Sequence, residues 1–311
     1  MVGTAAAPQV NTPIPLRIVV VGSGGRLGAA LARIYSGVHE VTGLNRHALD
    51  LKSNVDIHSK LEGLSFDVLI NCAALTNVDY CELHGDEALQ INARAVRAMA
   101  EVCAKKNARC IHISTDYVFD GKATKPYSES DPALPISIYG ESKLIGEKEL
   151  LGVSEKNLAV RVSWVFGPDR PSFVDQILKQ AAASDQVRAV EDKFAAPTFT
   201  LDIAAHLNPL LRDVAHGGVL HLSNAGECSW RQYGEFALEC AAEAGLPLKT
   251  QKVEPQKMAD LKAFIARRPV YTVLSTELLA GLTGHPPRHW RESVEDYIFN
   301  YYAPQHRAQA H

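Results

Sequence analysis

A tyrosine and a lysine lie four residues apart in the segment SIYGESK, residues 137–143. If this segment begins a helix, Tyr139 and Lys143 lie on the same face, because side chains four residues apart are neighbours on a helix. A free phenol has a pKa of roughly 10, and a neighbouring positive charge stabilises its phenolate. The pair could therefore exchange a proton with a substrate near neutral pH. The alternative is an ordinary aromatic and cationic pair on a helix surface.

A cluster of hydroxyl and carboxyl side chains precedes this pair. The apolar segment ARCIHIST, residues 108–115, predicts a strand that ends in Ser114 and Thr115, and Asp116 follows it. In a parallel sheet, ligands bind at the carboxyl ends of the strands. A hydroxyl-bearing strand end followed by a helix with Tyr139 and Lys143 therefore favours chemistry over a surface pair.

A glycine-rich turn lies near the start of the chain. LRIVVVG, residues 16–22, predicts a strand, and the leucines and isoleucine of SGGRLGAALARIYSG recur at helical spacing. Gly22, Gly25 and Gly28 form the pattern GxxGxxG, which lets the backbone approach a pyrophosphate at a helix N-terminus. A Gly-rich turn that only packs well is the alternative, but the position between a first strand and a helix favours dinucleotide binding.

Strands and helices continue to alternate after this turn. The further predicted elements are strands at 39–45 and 66–74, a long helix at 87–107 and a strand at 108–115. Continuous apolar strands that alternate with helices predict a parallel sheet covered on both faces. The fold class is therefore α/β, a Rossmann-type doubly wound parallel sheet with a smaller, mixed substrate-binding domain.

The predicted domains share the chain unequally. Residues 16–165 are predicted to form the dinucleotide-binding domain, to which a segment at about 197–226 returns, and residues 166–196 and 227–302 are predicted to form the smaller substrate-binding domain. A helix is expected to open at Thr198 or Thr200 in the returning segment. Residues 1–15 and 303–311 are expected to be disordered.

The end of the second strand selects the cofactor in dinucleotide-binding folds, because an acidic residue there binds the ribose hydroxyls and repels a 2′-phosphate. This chain has Asn45 followed by Arg46, which favours NADP over NAD. Arg46 as a solvated loop residue is the alternative. Asp50, beside Leu51, either lies near the adenine or caps the following segment.

The composition excludes several classes of function. The formal net charge is −3 and no basic block stands out, which argues against nucleic-acid binding. The six cysteines show no metal-ligand spacing, and we predict reduced thiols and no metal site. No segment approaches the roughly 20 apolar residues that span a bilayer. We therefore expect a cytoplasmic protein without membrane contact.

Six further segments extend these motifs along the chain: INCAALTNVDYCE, HISTDYVFDG, PISIYGESKLIGE, RVSWVFG, VEDKFAAPT and RRPVYTVLST. Together they resemble the extended short-chain dehydrogenase/reductase family and, within it, the dTDP-4-dehydrorhamnose reductases. The resemblance runs from about Leu16 to Tyr302. It implies an NADPH-dependent reductase, with NADH as an alternative, that acts on a small-molecule nucleotide sugar and could form a homodimer.

The resemblance also assigns roles to residues. Tyr139 would protonate the reduced carbonyl oxygen, Lys143 would lower the pKa of Tyr139 and hold the nicotinamide ribose, and Thr115 would complete the catalytic triad. The cofactor-binding residues would be Gly22, Gly25, Arg26, Leu27, Gly28, Asn45, Arg46, Asp50, Leu51, Ala73, Ala74 and Leu75, with Tyr139 and Lys143. The substrate-binding residues would be Thr115, Asp116, Trp164 and Arg268.

The implied reaction is reduction of the C4 ketone of dTDP-4-dehydro-L-rhamnose to dTDP-L-rhamnose. Two alternatives stay open from the sequence. The chain could bind cofactor without turnover, as the similar regulatory β subunit of methionine adenosyltransferase does. It could also be a reductase or epimerase of another nucleotide sugar.

Overall fold

A six-stranded parallel sheet lies at the centre of the part of the chain that the computed structural model describes, residues 14–261 and 263–308. Its strands are β1 (Arg17–Val21), β2 (Glu40–Leu44), β3 (Val68–Asn71), β4 (Arg109–Thr115), β5 (Leu158–Val162) and β10 (Gly218–His221). They lie side by side in the order β2–β1–β3–β4–β5–β10. The order along the chain thus reverses between β1 and β3, the place where ligands bind in such sheets.

The predicted strands at 16–22, 39–45, 66–74 and 108–115 are confirmed as β1 to β4, each shorter than predicted at its ends except β4 at Thr115. Every residue of β3 and β5 is buried, because helices cover both faces of the sheet. The predicted α/β, Rossmann-type fold class is therefore confirmed.

The helices are α1 (Arg26–Tyr35), α2 (Asn54–Glu62), α3 (Val78–Leu83), α4 (Gly85–Leu89), α5 (Ala95–Lys105), α6 (Ile138–Leu151), α7 (Phe173–Ala183), α8 (Thr200–Leu207), α9 (Trp230–Glu243), α10 (Glu277–Thr283), α11 (Trp290–Tyr297) and α12 (Ala303–Ala308). Helices α1 and α8 contribute Leu31 and Ile203 to the core on one face of the sheet. Helices α2 and α5 contribute Ile57 and Met99 to the core on the other face. The two cores hold the sheet between them.

The single helix predicted at 87–107 is wrong in its middle. The chain forms a π-helical turn at Gln90–Arg94 between α4 and α5. Within this turn the buried side chain of Asn92 accepts a hydrogen bond from Leu75 N at 2.8 Å and donates one to Leu75 O at 3.0 Å. The wider turn presents the Asn92 amide to the loop after β3, and such turns occur often at functional sites.

A separate core lies in the second half of the chain, where Phe166, Tyr233 and Trp290 pack together. The short strands around it are β6 (Val165–Phe166), β7 (Arg188–Val190), β8 (Phe194–Ala195), β9 (Thr198–Phe199), β11 (Cys228–Ser229) and β12 (Glu254–Gln256). They pair two by two, β6 with β9, β7 with β12 and β8 with β11. The domain boundaries stay a prediction.

The start of α8 agrees with one of its two predicted positions. Thr198 lies in β9, paired with Val165 of β6, and α8 opens at Thr200. Residues 303–308 were expected to be disordered but form α12, because Ala303 is buried and the His306 ring stacks on Tyr302 at 3.9 Å. The rest of the predicted disordered ends, residues 1–13 and 309–311, lies outside the described residues.

The described helices include none that is both long enough and apolar enough to cross a membrane. All six cysteines are free thiols. Cys81, Cys103 and Cys110 are fully buried and serve as small apolar core residues.

Candidate active site

A cleft of about 1200 Å³ opens at the carboxyl end of the sheet, beside the reversal between β1 and β3. Most of the side chains predicted for the site line it. They are Gly22, Gly25, Arg26, Leu27, Asn45, Arg46, Asp50, Leu51, Ala73, Ala74, Leu75, Thr115, Asp116, Tyr139, Lys143 and Trp164. Gly28 lies just behind this lining, and Arg268 lies away from it.

The glycine turn forms the floor of the cleft. Gly22 has a φ of +82°, and a Cβ there would lie 2.7 Å from Ala73 N. A Cβ on Gly28 would clash with the carbonyl of Gly22. Because both positions exclude a side chain, the first turn of α1 reaches the cleft with its free backbone N–H groups, which suits a phosphate.

The Arg26 side chain holds the far wall of the cleft. Its guanidinium donates to the carbonyls of Val165 at 3.1 Å, of Arg170 at 3.2 Å and of Pro171. Arg170 donates in return to Gly24 O at 3.0 Å. These bonds tie the glycine turn to Val165 and to the loop that precedes α7, so Arg26 contributes to the cleft through its backbone and through these hydrogen bonds.

The end of β2 presents one free cation to the cleft. Asn45 accepts hydrogen bonds from His47 N at 2.9 Å and Ala48 N at 3.2 Å, which fixes the turn that follows the strand. Arg46 is exposed and has no hydrogen-bond or ion-pair partner within residues 14–261 and 263–308. Asp50 accepts a bond from Lys52 N at 2.9 Å and thus caps a local turn, while α2 is capped by Ser53.

Tyr139 lies at the start of α6, which begins where the sequence predicts. Ser137 is the N-cap, and its hydroxyl accepts a hydrogen bond from Gly140 N at 3.3 Å. The Tyr139 ring is buried edge-on against Tyr117 with the centroids 5.6 Å apart. Burial raises the pKa of Tyr139, and a hydrogen bond with Thr115 acts against that rise. The phenol therefore stays protonated at neutral pH.

Lys143 Nζ contacts strand β4 in this structure, and its predicted effect on the pKa of Tyr139 stays a prediction. Its Nζ lies 2.8 Å from His112 Nε2 and donates to Ile113 O at 2.7 Å, so it is directed at β4. Burial is the main cause that lowers the pKa of Lys143 to about 7. Tyr139 and Lys143 line the same cleft, but the Lys143 amine is hydrogen-bonded to strand β4.

Asp116 joins three segments beneath the cleft. Its carboxylate accepts hydrogen bonds from Thr115 at 3.1 Å, Ser163 at 2.9 Å and Thr272 at 2.5 Å. Burial raises the pKa of Asp116, and nearby Lys193 and the three hydroxyls oppose that rise. Asp116 thus orients Thr115 as well as lining the cleft.

Helix α6 is fixed to the sheet by a buried ion pair. Arg161 of β5 donates to both carboxylate oxygens of Glu147, at 2.9 and 2.7 Å, and Ser114 donates to the same carboxylate. On the opposite side, Asn92 donates to the Ser142 hydroxyl at 3.0 Å. These contacts set the position of α6, and with it the positions of Tyr139 and Lys143.

Trp164 separates the cleft from a smaller aromatic chamber of about 210 Å³. It adopts a φ of +39°, and its ring lies 5.8 Å from that of Trp230. Neither the Trp164 indole N–H nor the Tyr233 hydroxyl has a partner among the described residues. The chamber therefore offers aromatic surface and two unused polar atoms to a group that enters from the cleft.

Arg268 is engaged elsewhere. It donates to both carboxylate oxygens of Asp79, at 3.0 and 2.6 Å, and its guanidinium lies 3.6 Å from the Phe264 ring centroid. Asp79 also accepts bonds from Ile265 N and Ala266 N, so this pair fixes the segment before Arg268 onto α3. The predicted contact of Arg268 with a substrate stays a prediction.

The comparisons with known proteins agree with this geometry. Residues 16–303 match the model of the family described as RmlD substrate binding domain. The chain belongs to this family. It is 35% identical over 283 residues to the spore coat polysaccharide biosynthesis protein SpsK of Bacillus subtilis, covering 91% of this chain and 96% of that protein.

Two named reductases extend the match. The dTDP-4-dehydrorhamnose reductase of Burkholderia thailandensis is 34% identical over 289 residues, covering 90% of this chain and 97% of that protein. The crystal structure of the dTDP-4-dehydrorhamnose reductase of Bacillus anthracis in complex with NADP has a TM-score of 0.85 at 27% identity, covering 92% and 99% of the two chains. This member of the RmlD substrate-binding-domain family is thus an oxidoreductase of the extended short-chain dehydrogenase/reductase type.

Sequence reasoning missed three buried polar residues of this family member. Asn71, His112 and Asn92 are fully buried and connect the site from below. His112 stands between two isoleucines in strand β4, which was the one available signal. Asn71 and Asn92 gave no such signal. Asn71 meets His112, and Asn92 meets Leu75 and Ser142, only after the chain has folded.

Replacement of Glu147 by alanine tests the anchoring of α6. The change leaves the Arg161 guanidinium, whose side chain is 5% exposed, without its counter-ion. We expect the free energy of unfolding to fall by about 3–5 kcal/mol in urea denaturation. The matched control, Glu254→Ala, breaks an exposed pair with Arg188 and should change it by less than about 1 kcal/mol. Equal losses in the two variants would contradict the anchoring role.

Proposed function

We propose that the protein reduces the C4 ketone of dTDP-4-dehydro-L-rhamnose to dTDP-L-rhamnose with NADPH. The observation that carries this proposal is the convergence of Tyr139, Thr115 and Lys143 in one cleft at the carboxyl end of a doubly wound sheet. Its relatives include proteins named for this reductase activity. The reaction adds a hydride to the carbonyl carbon and a proton to the carbonyl oxygen.

The residues of the cleft fit a dinucleotide. The turn at Gly22 and Gly28 brings backbone N–H groups where a pyrophosphate needs them, and no Cβ obstructs the approach. Arg46, exposed and unpaired within the described chain, supplies a cation for a 2′-phosphate at the end of β2. When bound, the nicotinamide cofactor supplies the hydride. The NADP complex of the Bacillus anthracis reductase supports the same choice of cofactor here.

Tyr139 is the proton donor of the proposed reaction. A general acid must hold its proton until charge develops on the substrate oxygen, and burial raises the pKa of this phenol, so it does so at neutral pH. The Thr115 hydroxyl donates its single proton to Asp116 in this structure, and it can donate to the same substrate oxygen once it turns from Asp116 to the ketone. An ordered pair of hydroxyls beside the ketone stabilises the developing alkoxide.

The sugar would enter beside Trp164. This tryptophan lines both the cleft and the aromatic chamber, and flat aromatic surface suits the apolar face and methyl group of a 6-deoxy sugar. The unpartnered Trp164 N–H and Tyr233 hydroxyl can hydrogen-bond a polar group of the substrate. A homodimer is a further prediction from the family resemblance.

Tyr139→Phe tests the proton donor. We expect kcat/KM for NADPH oxidation with dTDP-4-dehydro-L-rhamnose to fall by about 10² to 10⁴, the usual contribution of general acid catalysis, with NADPH affinity retained. The control is Tyr301→Phe, because Tyr301 packs in the second core outside the cleft. Rapid turnover by Tyr139→Phe would refute the assignment. Tight NADPH binding by the wild-type protein without turnover of any 4-keto sugar would instead favour a regulatory subunit.

Arg46→Ala tests the choice of cofactor. Loss of charge-assisted hydrogen bonds worth about 1.5–3 kcal/mol should weaken NADPH binding by roughly 10- to 100-fold and leave NADH binding unchanged. Fluorescence titration with the two nucleotides measures both constants. Arg188→Ala, which removes an exposed arginine outside the cleft, is the control. An unchanged ratio of the two affinities in Arg46→Ala would remove the role given to Arg46.

A further inference from the structure

A row of hydrogen bonds runs beneath the cleft from the loop after β3 to Lys143. Ala73 N donates to Asn71 Oδ1 at 3.0 Å, Asn71 Nδ2 lies 3.0 Å from His112 Nδ1, and His112 Nε2 lies 2.8 Å from Lys143 Nζ. Asn71 and His112 are fully buried, and Lys143 is 1% exposed. Because water is excluded, the donors and acceptors of this row must satisfy one another.

The backbone at one end sets the direction of every bond in the row. Ala73 N–H can only donate, so Asn71 turns its carbonyl oxygen to it and its NH₂ group to His112. His112 Nδ1 must then accept, and the ring proton of the neutral imidazole lies on Nε2. That proton points at Lys143 Nζ. An ammonium has no lone pair to accept it, whereas a neutral amine has one.

The remaining contacts of Lys143 are consistent with a neutral amine. Its own hydrogen is donated to Ile113 O at 2.7 Å. The titratable groups that face it are His112 on β4, Cys72 after β3, and Tyr139 and Glu147 on α6. Glu147 forms an ion pair with Arg161. Burial raises the pKa of Cys72 to about 12, so its thiol is uncharged at neutral pH.

We propose that His112 holds Lys143 as a neutral amine in the free protein, and that dinucleotide binding in the cleft is coupled to uptake of one proton by this amine. The proton comes from a hydronium ion or a buffer acid in solvent, and its bond to that donor breaks as the new N–H bond of Lys143 forms. An anionic pyrophosphate in the cleft favours the ammonium, and a Tyr139 phenolate needs it as a counter-charge. His112 is a positioning residue, because it acts through Lys143. The inference rests on the proposed function only in requiring a nicotinamide dinucleotide in the cleft.

The sign of the pH dependence follows from the free protein. Burial lowers the pKa of Lys143 to about 7, so the amine is mostly neutral at pH 8 and mostly charged at pH 6. Binding that requires the charged form weakens as the pH rises above the free pKa. The dissociation constant for NADPH should therefore rise by up to about tenfold per pH unit above pH 7, and stay nearly constant below it.

Calorimetric titration with NADPH and with NADH tests the coupling directly. Measured at pH 8 in buffers of different ionisation enthalpy, the binding heat gives the number of protons taken up. We expect close to one proton at pH 8 and a small fraction at pH 6, with both nucleotides. Binding of the nucleotides without detectable proton uptake at pH 8 would overturn the inference.

His112→Gln separates the proposed role from a structural one. A glutamine amide can turn its oxygen toward Lys143 and accept a hydrogen bond from the ammonium, so the ammonium is favoured in the free protein and proton uptake at pH 8 should fall below that of the wild type. His221→Gln is the matched control, because His221 is also a fully buried histidine of the sheet, on β10, and bonds Tyr127 O instead of Lys143. Retention of full uptake in His112→Gln would overturn the inference.

A measurement on the wild-type protein covers the case in which His112→Gln does not fold. Long-range ¹H–¹⁵N spectra of histidine-labelled protein report which ring nitrogen carries the proton. A proton on Nε2 of His112 supports the inference, and a proton on Nδ1 overturns it. Full proton uptake with no reduction of any nucleotide sugar would contradict the proposed function alone, and failure to bind either nucleotide would contradict both.

Discussion

The ion pair between Glu147 and Arg161 fixes helix α6 to strand β5, and the rest of the site depends on that contact. Both side chains are buried, so their charges interact strongly and neither can be exchanged for water. Tyr139, Ser142 and Lys143 lie on the same helix, four to eight residues before Glu147. The ion pair fixes the position of α6, and the helix in turn fixes where the Tyr139 phenol and the Lys143 amine lie relative to the strand ends.

The strand ends complete the site because all the strands are parallel. Thr115 at the end of β4, Asn71 at the end of β3 and Gly22 after β1 reach the same edge of the sheet. Polar groups buried at that edge satisfy one another in two networks. One centres on Asp116 and holds Thr115, and the other runs from Ala73 through His112 to Lys143. The first holds the Thr115 hydroxyl at the cleft, and the second is the network that we propose keeps Lys143 neutral in the free protein.

Much of this site could be predicted from local sequence. The one-turn spacing of Tyr139 and Lys143 and the glycine turn at Gly22 are short-range features, and each was found from neighbouring residues alone. The partners of Lys143 and Arg268 could not be found in that way. Lys143 meets His112 across 31 positions, and Arg268 meets Asp79 across 189. Such pairs exist only after the fold has brought them together.

The local errors have the same origin. The π-helical turn at Gln90–Arg94 follows from the contact of Asn92 with Leu75, and helix propensity alone favours a regular helix there. Burial, which the spacing of two residues cannot show, is the main cause that raises the pKa of Tyr139 in the folded chain.

Transfer of an isotopic label tests the proposed reduction most directly. The protein would be incubated with dTDP-4-dehydro-L-rhamnose and with NADPH deuterated on either face of nicotinamide C4, and the label located in the product by mass spectrometry and NMR. Direct hydride transfer in a fixed cleft predicts one deuterium at C4 of the sugar from only one of the two labelled cofactors. A product without deuterium, label at another carbon, or no product at all would contradict it.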